Sequence, residues 1–384
     1  MPLPKIAVVH DWLTAPGGAE RVLYQILSLL PSSDLFTLID DRKTLPDHIR
    51  QRHRIEASFL NRLPRVHSYY RWLSPIMPWA IESLDLSKYD FVVSSSWAFA
   101  HGVETRNQAT HIAYVHSPMR WAWDMEDEYL NQAGFNAPLR QLVQSRLSKL
   151  RSWDRVAAQR PAKILTNSQF VQQRIQDCWQ RDAGVIYPPV SVTKTLQSPV
   201  DHDAYVTVSR LVSYKRVDLW IEAFRKLPNK KLIVAGAGPE LGQLRSSAPT
   251  NVQFTGQISD QQTFALMAGA KALLQASKED FGISVVEAQA CGTPVIAYGQ
   301  GGALETVRGI ESKNPTGLLF DDLSIEALTD AIQTFEKLDF SRQDCVQNAE
   351  RFSAEKFRTE FTKNLIANGL DRSLINEETA CLSK

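Results

Sequence analysis

The chain has 384 residues, of which 43% are hydrophobic and 22% charged, and its formal net charge is +1. This composition is typical of a soluble globular protein, and the length predicts two domains of about 150–190 residues each. A net charge this small excludes a global electrostatic field for nucleic acid, so an anionic partner would have to meet a local basic patch.

The amino-terminal segment MPLPKIAVVHDWL predicts a buried strand rather than a signal peptide, because an aspartate follows the short apolar run at once. No apolar run reaches the roughly 18 residues that a membrane-spanning helix needs. Four scattered cysteines predict reduced thiols in a cytoplasmic protein. Asp201-His202-Asp203 and the run 124–128 are interpreted as polar linker and solvated turn, so no metal ion is expected.

Short apolar runs rich in β-branched residues alternate with helical patterns along the chain. They lie at 6–10, 34–39, 91–96, 111–116 and 162–168, and then at 204–209, 231–237, 252–256, 272–277, 294–298 and 317–320. Continuous apolar strands followed by helices indicate parallel sheets covered on both faces. Pro188-Pro189 predicts a stiff connector between the two sets. We therefore predict an α/β protein with two doubly wound, Rossmann-like domains at 1–190 and 191–350, followed by a helix and tail at 351–384.

The stretch SKEDFGISVVEAQACGTPVIAYGQGG (277–302) places two glutamates around the start of a predicted helix. The first N–H groups of that helix, near Gly282–Ser284, are available to an anion such as a diphosphate. Glu279 on the preceding loop and Glu287 on the helix can each accept hydrogen bonds from paired hydroxyls, as in a sugar and a ribose. The residues alone leave two interpretations equally open: a nucleoside diphosphate sugar site, or one solvated charge and one charge on a helix surface.

Two cations lie at the same predicted edge. In VSRLVSYKRVDLW, Arg210 ends a strand and Lys215 opens the following helix. An arginine and a lysine can stabilise the charge that develops on a leaving nucleoside diphosphate without a metal. We favour this role for Arg210 and Lys215, and a surface role for Arg216.

Three further loops follow predicted strands. Gly17 and Gly18 let the backbone approach a phosphate, or simply form a turn. The loop around Gly236 lacks the last glycine of the dinucleotide fingerprint, because Leu241 stands there. His116 either faces the ligand or serves a structural role.

The segment 277–302 resembles the E-x7-E signature of the retaining glycosyltransferase family four, whose members have the GT-B fold. The resemblance covers most of the chain and is strongest at 204–307. It implies that Glu279, His116, Arg210 and Lys215 are catalytic, with His116 and Glu279 contacting the transferred sugar, and it implies that the C-terminal helix returns to the first domain. It further implies that the donor is held by Gly17, Gly18, Arg210, Lys215, Gly236, Phe281, Gly282, Ile283, Ser284 and Glu287.

A metal-independent hexosyltransferase without a cofactor follows from that resemblance. HDWLTAPGGAER and YVHSPMRWAWD are most similar to the bacterial GDP-mannose branch, which implies transfer of mannose to a glycan or lipid-linked acceptor in surface-polysaccharide or glycolipid synthesis. A UDP-sugar-dependent transferase, a nucleotide-sugar epimerase and a non-catalytic sugar-nucleotide-binding protein stay open as alternatives.

The region 42–79 is basic and studded with aromatic residues. Residues 42–71 contain eight Lys or Arg against two acids. Such a pattern is typical of a surface helix that rests on an anionic membrane, and the alternative is two solvated helices over the core of the first domain. In the first case Arg62, Arg65, Arg71 and Trp72 would contact the membrane or the acceptor, at the inner face of the membrane.

Overall fold

The computed structural model describes residues 4–376, apart from residues 16, 42–43, 106–108, 127–129, 131–135 and 192–202. The chain divides into two compact units. One comprises Met1–Tyr187 and Phe357–Lys384, and the other comprises Pro188–Lys356.

The first unit is built on a seven-stranded sheet in which every pairing is parallel. Its strands are β1 (Ile6–His10), β2 (Asp34–Thr37), β3 (Ile55–Ala57), β4 (Phe91–Ser96), β5 (Thr110–Val115), β6 (Lys163–Thr166) and β7 (Gly184–Val185). Its helices include α1 (Gly18–Leu29), α2 (Asp47–Arg52), α3 (Met77–Glu82), α4 (Ala137–Ala157) and α5 (Gln169–Trp179). The strand order is β3-β2-β1-β4-β5-β6-β7.

The central strands are apolar throughout because both faces of the sheet are covered. In β1, Ile6 and Val8 pack into the same cluster as Ile26 of α1. Ala7 and Val9 point the other way, into a second cluster. Alternate side chains of one strand therefore fill two cores, which explains the uninterrupted apolar run.

The second unit contains a six-stranded sheet, again parallel at every pairing. Its strands are β8 (Ala204–Val208), β9 (Lys231–Ala235), β10 (Val252–Gly256), β11 (Leu273–Gln275), β12 (Val295–Tyr298) and β13 (Gly317–Phe320), in the order β10-β9-β8-β11-β12-β13. The helices here include α6 (Val217–Arg225), α7 (Leu241–Ser247), α8 (Asp260–Ala268), α9 (Ile283–Ala290), α10 (Ala303–Thr306), α11 (Ile325–Phe335) and α12 (Arg342–Ala349).

In each sheet the strand order reverses beside the first strand. β1 lies between β2 and β4, and β8 lies between β9 and β11. Doubly wound sheets bind ligands outside the carboxyl ends of the strands at such a reversal. The predicted α/β class with two doubly wound domains is confirmed, and each sheet has one edge where a ligand site is expected.

The last helix, α13 (Ala354–Ala367), contains the boundary between the two units. Phe357, Phe361 and Leu365 are buried in the same cluster as Ile6 of β1. The Phe357 ring lies 5.7 Å from that of Tyr114 on β5, edge to face. The helical spacing of these residues therefore serves the core of the first unit.

The single surface helix expected within 42–79 is not present in the described part, 44–79, so that prediction was wrong. This part contains the short helices α2 and α3, with β3 and the 3₁₀ turns Phe59–Arg62, Val66–Ser68 and Tyr70–Leu73 between them. Pro64 and Pro75 lie between the two helices, where proline removes a helical N–H and clashes with the preceding turn, whereas Pro78 lies in the first turn of α3, where proline is tolerated. Arg62, Arg65, Arg71 and Trp72 are nonetheless exposed. None of the described helices is long and apolar enough to cross a membrane.

Candidate functional site

The switch-point edge of the second unit brings Lys215 and Glu279 together. Lys215 ends a 3₁₀ turn after β8, and Glu279 lies on the loop after the neighbouring strand β11. Lys215 Nζ lies 2.5 Å from Glu279 Oε1, and the two side chains are 20% and 14% exposed. The Ser277 hydroxyl donates to the same carboxylate oxygen at 2.5 Å. A largely buried cation and carboxylate thus meet where the topology predicts a ligand.

Helix α9 begins directly beside this pair. Its N-cap residue Gly282 provides no side-chain cap. Val285 and Val286 are the first residues of the helix whose N–H groups donate to the Gly282 carbonyl. The N–H groups of Ile283 and Ser284 precede that bonding and lie at the positive end of the helix dipole. The loop therefore offers backbone donors of the kind that hold a phosphate.

Two side chains of the signature are buried. Phe281 is 3% exposed and packs edge to face on Phe352, with ring centroids 5.3 Å apart, so its side chain anchors the loop. Glu287, one turn into α9, is 7% exposed. Neither Glu279 nor Glu287 is therefore the ordinary solvated or helix-surface charge that the sequence left open.

The glycine pair after β12 holds the Glu279 loop from one side. The Gly302 N–H donates to the Glu279 carbonyl at 2.9 Å. A Cβ at Gly302 would lie 2.4 Å from the Phe281 Cα. Such an approach is possible only without a side chain, so the QGG sequence fixes the position of the carboxylate.

Arg210 follows β8 on the same edge and is exposed. The neighbouring loop after β9 packs against the preceding residue, Ser209. Gly236 in that loop has φ +136°, and a Cβ there would lie 1.9 Å from the Ser209 carbonyl oxygen. This contact gives the Gly236 loop a structural reason for its glycine that is independent of any nucleotide.

At the corresponding edge of the first unit, His116 follows β5 and belongs to a polar chain. Its Nε2 lies 3.0 Å from Ser95 Oγ, and Ser95 Oγ lies 3.2 Å from His10 Nδ1. His10 Nε2 is 3.5 Å from a carboxylate oxygen of Glu20 on α1. Burial, with a smaller contribution from the charge of His10, lowers the pKa of His116 to about 3. The ring is therefore neutral at physiological pH.

Gly17 and Gly18 open α1 at this edge: Gly17 is the N-cap residue and Gly18 the first helical residue. The loop after β4 is fixed by the buried Asp11 carboxylate, which accepts four backbone N–H groups from Trp97–Ala100 at 2.6–3.0 Å. Sequence reasoning had overlooked Asp11, His10, Glu20, Ser95 and Ser277. Four of them lie within a few residues of the end of a strand, and Glu20 lies in the first turn of α1.

The described acidic residues of the two segments considered as metal sites form ion pairs with basic side chains. Asp124 lies in a turn, is 45% exposed and pairs with Arg174 at 2.5 Å, whereas the less exposed Glu126 pairs with Arg151. Asp203 pairs with Lys271 at 2.9 Å, whereas residues 201 and 202 lie outside the described part of the chain. Within the described ranges, no three His, Cys, Asp or Glu residues are placed to hold a metal ion.

Comparison with known proteins identifies the family. The family model "Glycosyltransferase Family 4" matches residues 16–194, and "Glycosyl transferases group 1" matches residues 193–352. The two models meet at residues 193–194 and together span residues 16–352. The chain belongs to glycosyltransferase family 4. The family predicted from the E-x7-E segment is thereby confirmed.

Among curated relatives of this family-4 chain, the GDP-mannose-dependent alpha-(1-6)-phosphatidylinositol monomannoside mannosyltransferase of Mycobacterium tuberculosis is 34% identical over 144 residues, which are 33% of this chain and 36% of that protein. The D-inositol 3-phosphate glycosyltransferase of Mycobacterium bovis is 34% identical over 153 residues, 36% of this chain and 31% of that protein. The chain thus matches about a third of the length of these relatives.

Solved structures resemble almost the whole chain. Anabaena HepE in complex with UDP superposes with a TM-score of 0.68 over 94% of this chain and 100% of that one, at 20% identity. Sucrose-phosphate synthase from Thermosynechococcus elongatus gives a TM-score of 0.70 over 94% of this chain and 98% of that one, at 18% identity. The predicted GT-B fold is confirmed.

Proposed function

We propose that this family-4 protein is a retaining, metal-independent hexosyltransferase that takes a sugar from a nucleotide donor, with GDP-mannose the favoured donor. The observation that carries the proposal is the Lys215–Glu279 pair at the switch point of the second unit. Glu279 is there to accept hydrogen bonds from sugar hydroxyls, and Lys215 to neutralise the diphosphate.

The surroundings of the pair support a diphosphate ligand. Arg210 lies exposed at the same edge, and the first N–H groups of α9 follow Gly282. Two cations and backbone donors stabilise a leaving nucleoside diphosphate as its negative charge grows. Glu287, buried one turn further on, is assigned to the ribose, and Gly236 to the region of the base.

The choice of mannose as the sugar and guanosine as the nucleoside of the donor is based on the similar proteins. The M. tuberculosis relative named as GDP-mannose-dependent is 34% identical. HepE, named with UDP, is 20% identical over its whole length. We therefore favour GDP-mannose over a UDP-sugar, and a glycan or lipid-linked acceptor in surface-polysaccharide or glycolipid synthesis.

Calorimetric titration tests the donor. GDP, UDP and ADP are titrated into the purified protein with EDTA present, followed by the matching sugar nucleotides. We expect the tightest binding for GDP and GDP-mannose. A preference for UDP would replace the donor and keep the transferase, whereas binding of none would contradict the proposed site.

Product analysis tests the reaction class. With donor and a lipid-linked or glycan acceptor, the transferase yields a glycoside that retains the anomeric configuration of the donor. A C2-epimerised nucleotide sugar would instead identify an epimerase, and binding without turnover a non-catalytic sugar-nucleotide-binding protein.

Region 44–79 supports contact with an anionic membrane at the cytoplasmic face. Trp72 is 76% exposed and Trp79 is 65% exposed, with the exposed Arg62, Arg65 and Arg71 nearby in sequence. Indole rings at the headgroup level and arginines over anionic lipid are the expected combination.

Co-sedimentation with vesicles containing phosphatidylglycerol measures this contact. Binding should be strong at low salt, weaken in high salt, and fall in a variant carrying Trp72→Ser and Arg71→Gln. Leu142→Ser on α4, which removes an exposed apolar residue (53% exposed) elsewhere, is the matched control. Wild-type protein that does not bind at low salt would leave this surface as an ordinary solvated one.

A further inference from the structure

The polar chain that ends at His116 has a defined direction. His10 Nδ1 lies 3.1 Å from the Ser95 carbonyl oxygen as well as 3.2 Å from the Ser95 hydroxyl. A carbonyl oxygen can only accept a hydrogen bond, so His10 Nδ1 must carry a proton. This holds whether His10 is neutral or charged, because both states can keep a proton on Nδ1.

The proton on His10 determines what Ser95 does. A hydroxyl has one hydrogen to donate and can accept from others. Ser95 is fully buried, and a buried hydroxyl hydrogen needs an acceptor. The N–H of His10 cannot accept it, so the hydrogen is directed to His116 Nε2, 3.0 Å away. His116 Nε2 is then an acceptor, and the neutral ring must carry its proton on Nδ1.

We propose that Ser95, itself held by His10, is a positioning residue that fixes His116 as the Nδ1–H tautomer, so that His116 presents an N–H donor at the carboxyl edge of the first sheet. The proposal rests on the proposed function and on the catalytic role that the family resemblance implies for His116. Under it, His116 cannot act as a general base, since its one basic nitrogen is occupied by Ser95. The lowered pKa of His116 agrees with a ring that stays neutral.

Glu20 on α1 lies near the far end of the chain. Its side chain is 9% exposed, and a carboxylate oxygen lies 3.5 Å from His10 Nε2, which makes no hydrogen bond within the described part of the protein. The orientation of His10 is therefore set by its Nδ1 contacts with Ser95, and the hydrogen-bonded order His10, Ser95, His116 runs from β1 across β4 to the residue after β5.

The same strand provides a matched control. Ser94 Oγ lies 2.8 Å from Nε2 of His111. His111 is 1% exposed, so it cannot touch a ligand. Ser94→Ala removes the hydrogen bond to His111, and Ser95→Ala removes the hydroxyl contacts to His116 and His10 but keeps the Ser95 carbonyl that accepts from His10. Only Ser95→Ala removes the restraint on His116.

The tautomer is measured directly by ¹⁵N NMR of histidine-labelled full-length protein, with the His116 signals assigned from a His116→Asn spectrum. Protonated and unprotonated ring nitrogens have well separated shifts. We expect Nδ1 of His116 to be protonated in the wild type and in Ser94→Ala, and protonation to shift toward Nε2 in Ser95→Ala. A wild-type His116 protonated on Nε2 would overturn the proposal, and this measurement does not require any variant of Ser95 to fold.

Kinetics test the consequence. Ser95→Ala should lower kcat about 10- to 100-fold with little change in KM for the donor. Ser94→Ala should lower the thermal midpoint about as much as Ser95→Ala does, but leave kcat close to wild type. Equal kcat in the two variants would overturn the positioning role. An Nδ1–H tautomer in a protein that forms no glycoside would instead refute the proposed function and leave the hydrogen-bond chain intact.

Discussion

Replacing Lys215 by alanine should separate catalysis from folding. The substitution removes one charged donor from the diphosphate site, a loss that lowers kcat by about 100- to 1,000-fold when the donor acts in the transition state. That corresponds to roughly 2.7–4 kcal/mol of lost stabilisation of the transition state. The measurement is the initial rate of glycoside formation at saturating donor.

The same substitution leaves the Glu279 carboxylate, 14% exposed, with the Ser277 hydroxyl at 2.5 Å but without its cation. Losing that partner should destabilise the second unit by about 1–3 kcal/mol, or about 2–4 °C in thermal midpoint for each kcal/mol. The protein should therefore still fold at the assay temperature.

Arg216→Gln is the matched control. Arg216 is the adjacent cation, but its side chain is 39% exposed and pairs with Asp218 at 3.3 Å. A surface pair of this kind contributes at most about 1 kcal/mol, so this variant should retain wild-type turnover. Lys215→Ala with a rate within threefold of wild type, or Arg216→Gln with an equal loss, would refute the assignment of the site.

The remaining predictions concern stability. Burial lowers the pKa of His111 from 6.5 to about 3, so the unfolded chain takes up a proton below pH 6.5 that the folded protein refuses. The free energy of unfolding should fall by up to about 1.4 kcal/mol per pH unit as pH drops from 6.5 toward 3. Thermal melts measured across this range should give a steeper fall of the thermal midpoint with pH for the wild type than for His111→Gln. Parallel pH dependences in the two proteins would contradict the prediction. Gly302→Ala would place a Cβ 2.4 Å from the Phe281 Cα and should abolish transfer with a loss of several kcal/mol in unfolding free energy, as read by thermal denaturation. Gly242→Ala in α7, where a Cβ meets nothing within 4 Å, should instead stabilise by roughly 0.5–1 kcal/mol; similar melts for both glycine variants would contradict the argument.

The strands were readable from the sequence because local composition encodes them. Each of the eleven predicted runs overlaps a strand, among them β1 at Ile6–His10 and β12 at Val295–Tyr298. β3 and β7 were not predicted: at three and two residues they are edge strands whose pairing, not whose composition, defines them. In the region 42–79 the charge pattern was interpreted as one surface helix, whereas the described part, 44–79, contains two short helices joined by β3 and short turns, with Pro64 and Pro75 between them.

The sequence by itself determined the fold class, the family and the spacing of Glu279 and Glu287 in the family motif. These features depend on periodicity and on a short contiguous segment. Tertiary structure alone decided which side chains meet. Lys215 and Glu279 are 64 residues apart in the chain, and the His10–Ser95 bond spans 85 residues. Such contacts arise only when parallel strands bring their carboxyl ends to one edge, and no local pattern records which distant residue will stand opposite.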